Sequence, residues 1–294
     1  MKSGFVTILG RPNVGKSTLL NCIAGQKIAI VSNKPQTTRT AIQGIINRND
    51  AQIIFTDTPG IHKPKNKLGE KMAETIEDAS AGVDLILYLI DATDRGIGTA
   101  NEFILNKVID YKTKTILVIN KVDLVKKESL LELIKMYSER HNFEAIIPIS
   151  AMKNDGVEEL IQKIIELLPE GPEYYGKEDF TNQTERQIVE ETIREKALKV
   201  LDDEIPHGIA VEVTSMKKRK GKKLYDIEAT IYCERKSHKG IIIGKNGEKL
   251  KVIGTRARED IEEMMQSNVN LQLWVKVKEG WRDNESKLKQ VFKA

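Results

Sequence analysis

Gly10-Arg11-Pro12-Asn13-Val14-Gly15-Lys16-Ser17 sets two glycines, an ammonium and a hydroxyl at the spacing G-x-x-x-x-G-K-S, directly after the apolar run Phe5–Leu9. That spacing suits a chain of phosphates. Glycine lets the backbone N–H groups of Gly10, Asn13, Val14 and Gly15 close around phosphate oxygens, and a helix opening at this point adds its positive end. Lys16 then meets the β- and γ-phosphates, the N–H of Thr18 faces the same way, and the Ser17 hydroxyl ligates Mg²⁺. Asp57-Thr58-Pro59-Gly60 follows the run Gln52–Phe55. A carboxylate at Asp57 holds Mg²⁺ through water, and the Gly60 N–H reaches a γ-phosphate. Asn120-Lys121-Val122-Asp123 follows Thr115–Ile119, and Ser150-Ala151-Met152 follows Ala145–Ile149. Asp123 is suited to accept hydrogen bonds from N1–H and the 2-amino group of guanine, a donor pair that adenine lacks. The N–H of Ala151 is placed for guanine O6. An Asp-x-x-Gly by itself is a common turn. Four motifs in this order, each closing an apolar run, point together to GTP or GDP with Mg²⁺.

Water activation has no obvious agent. Many enzymes that hydrolyse such a nucleotide carry glutamine directly after the Asp-x-x-Gly glycine. Ile61 stands there instead, with no group to orient water. His62 beside it reads as a surface residue rather than a base. The segments Pro35–Arg39 and Ile61–Gly69 look poor in apolar anchors and are expected to order on γ-phosphate and Mg²⁺.

Far along the chain, Gly244-Lys245-Asn246-Gly247 follows Ile241-Ile242-Ile243 between two helical segments. A G-x-x-G turn admits the backbone of single-stranded RNA, because glycine has no Cβ in the way and the next helix offers N–H groups. Lys239, Ile241, Lys245, Asn246, Lys249 and Arg256 are the expected companions of Gly244 and Gly247. Between Arg235 and Arg258, eight Lys/Arg stand against one acid, Glu248, a local +7 in a chain whose formal net charge is +4. Lys217–Lys223 contributes six more basic residues, which a solvated hairpin tip would equally carry. Charge and a phosphate-compatible loop coincide only over 235–258, so nucleic acid is expected there.

Two domains must position these groups, and 294 residues are enough for two cores. From the start to residue 168, short apolar runs alternate with helix-length segments, the pattern of an α/β domain with a mostly parallel sheet. Leu160, Ile161, Ile164, Ile165, Leu167 and Leu168 recur at helical spacing and close it. Residues 169–183, opened by Pro169-Glu170-Gly171-Pro172, read as a linker. Residues 184–294 read as α-β-β-α-α-β, an α+β domain. Aromatics are only 5% of the chain, which disfavours a base-stacking sheet, and Cys22 and Cys233 lack any metal or disulfide pattern. The run Leu85–Ile90 is too short to span a bilayer, and no signal peptide is expected at the start. The expected location is the cytoplasm.

These motifs resemble those of the Era family of P-loop GTPases. Gly10–Ser17, Pro35-Gln36-Thr37-Thr38-Arg39, Asp57–Gly60, Asn120–Asp123 and Ser150-Ala151-Met152-Lys153 fit its nucleotide domain, and Ile-Gly-Lys-Asn-Gly in the α-β-β-α-α-β order fits a type II KH domain. The resemblance covers nearly the whole chain. It implies a GTPase of slow intrinsic rate, in which Lys16, Thr38, Gly60 and Asn13 serve catalysis and Ser17, Thr38 and Asp57 hold Mg²⁺. Thr37 remains the alternative to Thr38. It also implies a K⁺ ion held at Asn13, and the 3′ end of small-subunit ribosomal RNA as the bound strand during assembly of that subunit. A monomer is expected. Some members associate peripherally with the inner face of the cell membrane.

Overall fold

The computed structural model describes residues 1–292 apart from 35, 49, 203 and 204, with side chains through residue 288. The chain divides into two compact units, the first made of Met1–Val31, Thr38–Lys63 and Lys71–Asn182, the second of Ser32–Thr37, Pro64–Glu70 and the chain from Gln183 onward.

In the first unit, β1 (Lys2–Gly10), β3 (Ala51–Asp57), β4 (Leu85–Asp91), β5 (Thr115–Asn120) and β6 (Ala145–Pro148) run parallel, and β2 (Ile42–Arg48) joins one edge antiparallel to β3. The strand order is β2-β3-β1-β4-β5-β6. The continuous apolar runs follow from burial on both faces. In β4, Leu85, Leu87 and Leu89 enter one core while Ile86, Tyr88 and Ile90 enter the other. The first core takes in α1 (Lys16–Ala24) and α5 (Val157–Leu167); the second takes in residues of α2 (Lys67–Ser80), α3 (Thr99–Tyr111) and α4 (Lys127–Ser138). Gly44 occupies mid-β2 because a Cβ there would meet Leu20 Cδ1 at 2.6 Å. Residues 169–182 form no helix or strand, yet they belong to this unit. Ser3 N donates to Pro169 O, Gly171 N to Met1 O, and Ile45 N to Phe180 O, so the expected linker runs from the start of β1 to the outer edge of β2.

In the second unit, α6 (Glu185–Val200) begins with a capping box in which Thr184 and Gln187 satisfy each other's backbone N–H groups. Then come β7 (Ala210–Lys218), β8 (Leu224–Cys233), α7 (Lys236–Ile243), α8 (Glu248–Met265), β9 (Asn268–Val277) and α9 (Glu285–Phe292). The sheet order is β7-β8-β9, with β8 and β9 parallel. Ile253, Ala257 and Ile261 of α8, spaced by four, pack with Val189, Ile193 and Ala197 of α6 over the inner faces of the strands. The expected α-β-β-α-α-β order is present, with α9 added after it.

Among the described residues, no helix is long and apolar enough to cross a membrane.

Candidate nucleotide site and nucleic-acid groove

Every nucleotide motif lies where a parallel strand ends. The loop after β1 leaves the extended region twice, at Asn13 (φ 66°) and Gly15 (φ 104°), and enters α1 at Lys16. A side chain at Gly15 would meet Asn120 Nδ2 at 2.2 Å, and one at Gly60 would meet Pro12 N at 2.6 Å. Gly15 is thus required by its left-handed backbone and the Asn120 amide packed on it, and Gly60 by the Pro12 backbone, independently of any ligand. Asn120 stitches the site together: its Nδ2 donates to Val14 O at 2.8 Å, and its Oδ1 accepts from Ala151 N at 3.0 Å. Lys121 donates to Asn13 O at 2.9 Å and pairs with Asp91 at 2.5 Å. Asn120 and Lys121, expected to touch the nucleotide, thus also brace the loop around it. Asp123 accepts from the Ser150 hydroxyl, which holds its carboxyl below the usual carboxylate range; Lys153 stands 3.7 Å away. Met152 is 79% exposed, a side chain free to cover whatever enters.

The expected Mg²⁺ ligands converge. Ser17 Oγ donates to Asp57 Oδ2 at 2.6 Å and lies 3.0 Å from Thr38 Oγ1, which reaches Asp57 Oδ2 at 3.3 Å. Asp57 is fully buried, and its Oδ1 has no hydrogen-bond partner. Burial pushes this carboxyl up, against the pull of Lys16 and the two hydroxyls. A buried carboxylate with an unused oxygen beside two hydroxyls fits a hard divalent cation. Thr37, by contrast, which groups with the second unit, turns its hydroxyl to Lys34 O at 2.6 Å, and its carbonyl accepts within that unit from Arg194, a guanidinium held by Glu191. Pro35 of that segment lies outside the described residues. The Lys16 ammonium, 6% exposed, is folded onto the carbonyls of Gly10 and Arg11 at 3.2 and 3.0 Å. Desolvation lowers its pKa to about 8, partly offset by Asp57. Among the described residues, carbonyl oxygens alone hydrogen-bond this ammonium, so the cradle fits phosphate as well.

Ile61 is only 6% exposed and packs with Leu9, Ile76 and Ile86, while its N–H donates to Gly10 O at 3.1 Å. Leu68, 2% exposed, is buried too. The expectation that Ile61–Gly69 lacks apolar anchors is therefore corrected: both ends of the segment are pinned by burial.

In the second unit, α7 ends in a turn with left-handed φ at Gly244 (74°), Asn246 (50°) and Gly247 (81°), after which α8 starts. A Cβ on Gly244 would press on Lys249 N at 3.0 Å, whereas one on Gly247 would meet open space. From this turn a groove of about 330 Å³ runs between α8 and β9, lined by Gly247, Leu250, Lys251, Gly254, Arg258 and Leu273 among others. Ile241 and Lys239, both exposed, lie on the helix before the turn. Lys249 and Arg256 are not among the lining residues. At about 100° per residue they fall on a different side of α8 from Lys251 and Arg258. The 3.6-residue period around Gly247 would have picked out Leu250, Lys251, Gly254 and Arg258 directly.

Comparison with known proteins agrees with this arrangement. Residues 5–121 match the family model of a 50S ribosome-binding GTPase, and residues 204–282 that of a KH domain. GTPase Era of Alkaliphilus metalliredigens is 53% identical over 290 residues, 99% of this chain and 98% of that protein. GTPase Era of Clostridioides difficile is 54% identical over 283 residues, 96% and 95% of the two chains. Two solved structures are 39% identical: an Aquifex aeolicus Era variant bound to GDP·AlF4⁻, with a TM-score of 0.95 and 99% of both chains covered, and Era in complex with MgGDPNP and nucleotides 1506–1542 of 16S ribosomal RNA, with a TM-score of 0.96, 99% of this chain and 98% of the other. The GTPase and KH matches within one chain, and relatives more than 50% identical over nearly its whole length, establish that the chain belongs to the Era family of GTPases.

Proposed function

We propose that this GTPase binds the 3′ end of small-subunit ribosomal RNA as a single strand and acts in assembly of that subunit. The groove beneath the Gly244–Gly247 turn carries the reading. It joins apolar walls, Leu250 and Leu273, to the cations Lys251 and Arg258, so bases and phosphates both find partners. The solved Era complex with nucleotides 1506–1542 of 16S ribosomal RNA supports this choice of strand. Crosslinking the protein to RNA in cells and sequencing the footprint tests it. The expected result is a footprint concentrated at that 3′ end; a dispersed footprint overturns the assignment. A monomer in the cytoplasm suffices for this role, and peripheral contact with the inner face of the membrane is compatible with it.

At the nucleotide, Ser17, Thr38 and Asp57 hold Mg²⁺, which when bound offsets phosphate charge. Lys16 gives up its carbonyl partners for the β- and γ-phosphates. Gly60 offers its N–H to the γ-phosphate and Asp123 reads guanine, while the Ala151 N–H, which donates to Asn120 Oδ1 in this structure, must leave that oxygen to reach guanine O6. With Ile61 turned into the core, no side chain at that position orients water. Positive charge at the phosphates is then a separate aid to hydrolysis, and we assign a K⁺ ion to Asn13, which is exposed on a left-handed backbone in the loop after β1. GTP hydrolysis in KCl is therefore expected to exceed that in NaCl at equal ionic strength. Asn13→Ala should abolish the difference while leaving GDP affinity near that of the parent. Equal rates in the two salts reject the K⁺ role.

A further inference from the structure

The β7–β8 hairpin ends in Lys217-Lys218-Arg219-Lys220-Gly221-Lys222-Lys223, six cations around one glycine with no acid among them, and all seven residues are exposed. Two of the charges are already engaged. Arg219 forms a bidentate pair with Asp226 at 2.6 and 2.7 Å, and Asp226, also receiving Asn270 Nδ2 at 2.8 Å, is held at about 2. Lys218 lies over the Tyr225 ring at 5.6 Å. These contacts, with Arg219 N donating to Leu224 O and Gly221 at φ 72°, fix the shape of the tip. Lys217, Lys220, Lys222 and Lys223 form no ion pair among the described residues.

Protection of an exposed sheet edge is one use for lysine, and β7 is an edge strand. It accounts for Lys217 at most. Lys220, Lys222 and Lys223 lie beyond the last rung of the ladder, Lys218 opposite Tyr225, where there is no edge to protect.

The tip's position suggests another use. Asn268 N, at the start of β9, donates to Lys223 O at 3.0 Å. Val269 N next to it donates to Glu262 Oε1 at 2.8 Å, and the same carboxylate holds Arg258 at 3.3 Å. Arg258 and Leu271 close the groove at the end away from Gly247. A path of three short contacts thus joins that end to the lysine tip. The α8 helix, 18 residues or about 27 Å long, separates the tip from the glycine turn. A KH groove clamps about four nucleotides, so longer RNA must leave it.

We propose that the Lys217–Lys223 tip is a second RNA-binding surface, which takes the sugar–phosphate backbone of the strand or stem leaving the Arg258 end of the groove. This rests on the RNA reading of the groove above. Ammonium groups carried on an exposed turn whose backbone is held in shape suit phosphates without regard to base.

The test uses the full chain with all four lysines replaced (Lys217→Gln, Lys220→Gln, Lys222→Gln, Lys223→Gln), leaving Arg219 and Asp226 in place. Affinity is measured over a salt series for three RNAs: a single strand just filling the groove, that strand extended, and that strand carrying a hairpin stem. The variant should bind the short strand like the parent. For an extended RNA its affinity should fall about tenfold or more, and its log–log salt slope should shrink by about 0.7 for each lysine engaged on a single strand or about 0.9 on a duplex. Which extension responds tells strand from stem. Unchanged affinity and slope for both extensions overturn the proposal, and so does an equal loss on the short strand, which would mark a general field. Vesicles containing phosphatidylserine form a further arm; loss of vesicle binding with RNA affinity intact reassigns the tip to lipid headgroups. Gly247→Asp separates the premise. If that variant keeps the short strand, the groove reading fails, whatever the lysines do.

Discussion

Asp123→Asn is expected to lower GTP affinity by about 10²- to 10⁴-fold, since two hydrogen bonds to a charged acceptor are worth about 1.5–3 kcal/mol each. Asp123 lies just past β5, with its carboxylate set by the Ser150 hydroxyl and facing Lys153. In the reading proposed above, it accepts from N1–H and the 2-amino group of guanine. An amide keeps one oxygen but turns an NH₂ toward a base edge that is all donor, so one favourable contact is lost and a repulsive one takes its place. Xanthine carries an oxygen at position 2, which suits that NH₂. Affinity for xanthosine triphosphate should therefore rise as that for GTP falls, and ATP should compete in neither protein. Competition titrations with the three nucleotides, alongside thermal unfolding, decide the matter. GTP binding that survives the substitution unchanged would sink the base-reading role of Asp123. A parallel loss of both purines with a lowered Tm would mean the loop itself had given way.

Most of the nucleotide site could be read from residue order, because its chemistry sits on strand ends and each buried strand announces itself as a continuous apolar run. What spacing could not convey was which groups the fold uses on itself. Asn120 looks like a nucleotide ligand in sequence, and in the structure its amide ties Val14 to Ala151. Thr37 and Thr38 are equivalent on paper; only the fold turns one hydroxyl to Lys34 O and the other to Ser17 and Asp57. Strand β2 has no clear sequence signature because Gly44 interrupts its pattern, and the reason for that glycine is Leu20, a contact distant in sequence. Ile61 was legible as an absent glutamine but not as a core residue, since one isoleucine in a polar stretch has no period. In the second domain, the basic stretch 235–258 overlaps the groove lining, but net charge cannot say which lysines share a helix face with the groove.

Gly247→Asp should lower RNA affinity by ~100-fold or more while leaving GTP and GDP affinity unchanged. Placing like charges together costs several kcal/mol, and each 1.4 kcal/mol is tenfold in affinity. The structure separates the two glycines of the turn as experimental targets. At Gly244, any Cβ would crowd the Lys249 backbone, so loss of binding there would be confounded by distortion of α8. At Gly247 a Cβ enters open space at the groove's mouth, and the only conformational cost is the left-handed backbone, φ 81° and ψ 9°, a region aspartate tolerates better than most residues. The carboxylate then projects where a phosphate must pass to reach the N–H groups at the start of α8, and it weakens the positive end of that helix for an anionic ligand. Gly247→Asn is the matched control: it adds nearly the same volume at the same φ without charge. The asparagine variant should fall between parent and aspartate, and raising the salt should narrow the gap between the two variants, because screening acts on the Coulomb part alone. If both variants lose RNA equally at every salt concentration, the loss is steric and the phosphate does not run past residue 247. An aspartate variant that binds like the parent would place the strand outside the groove altogether.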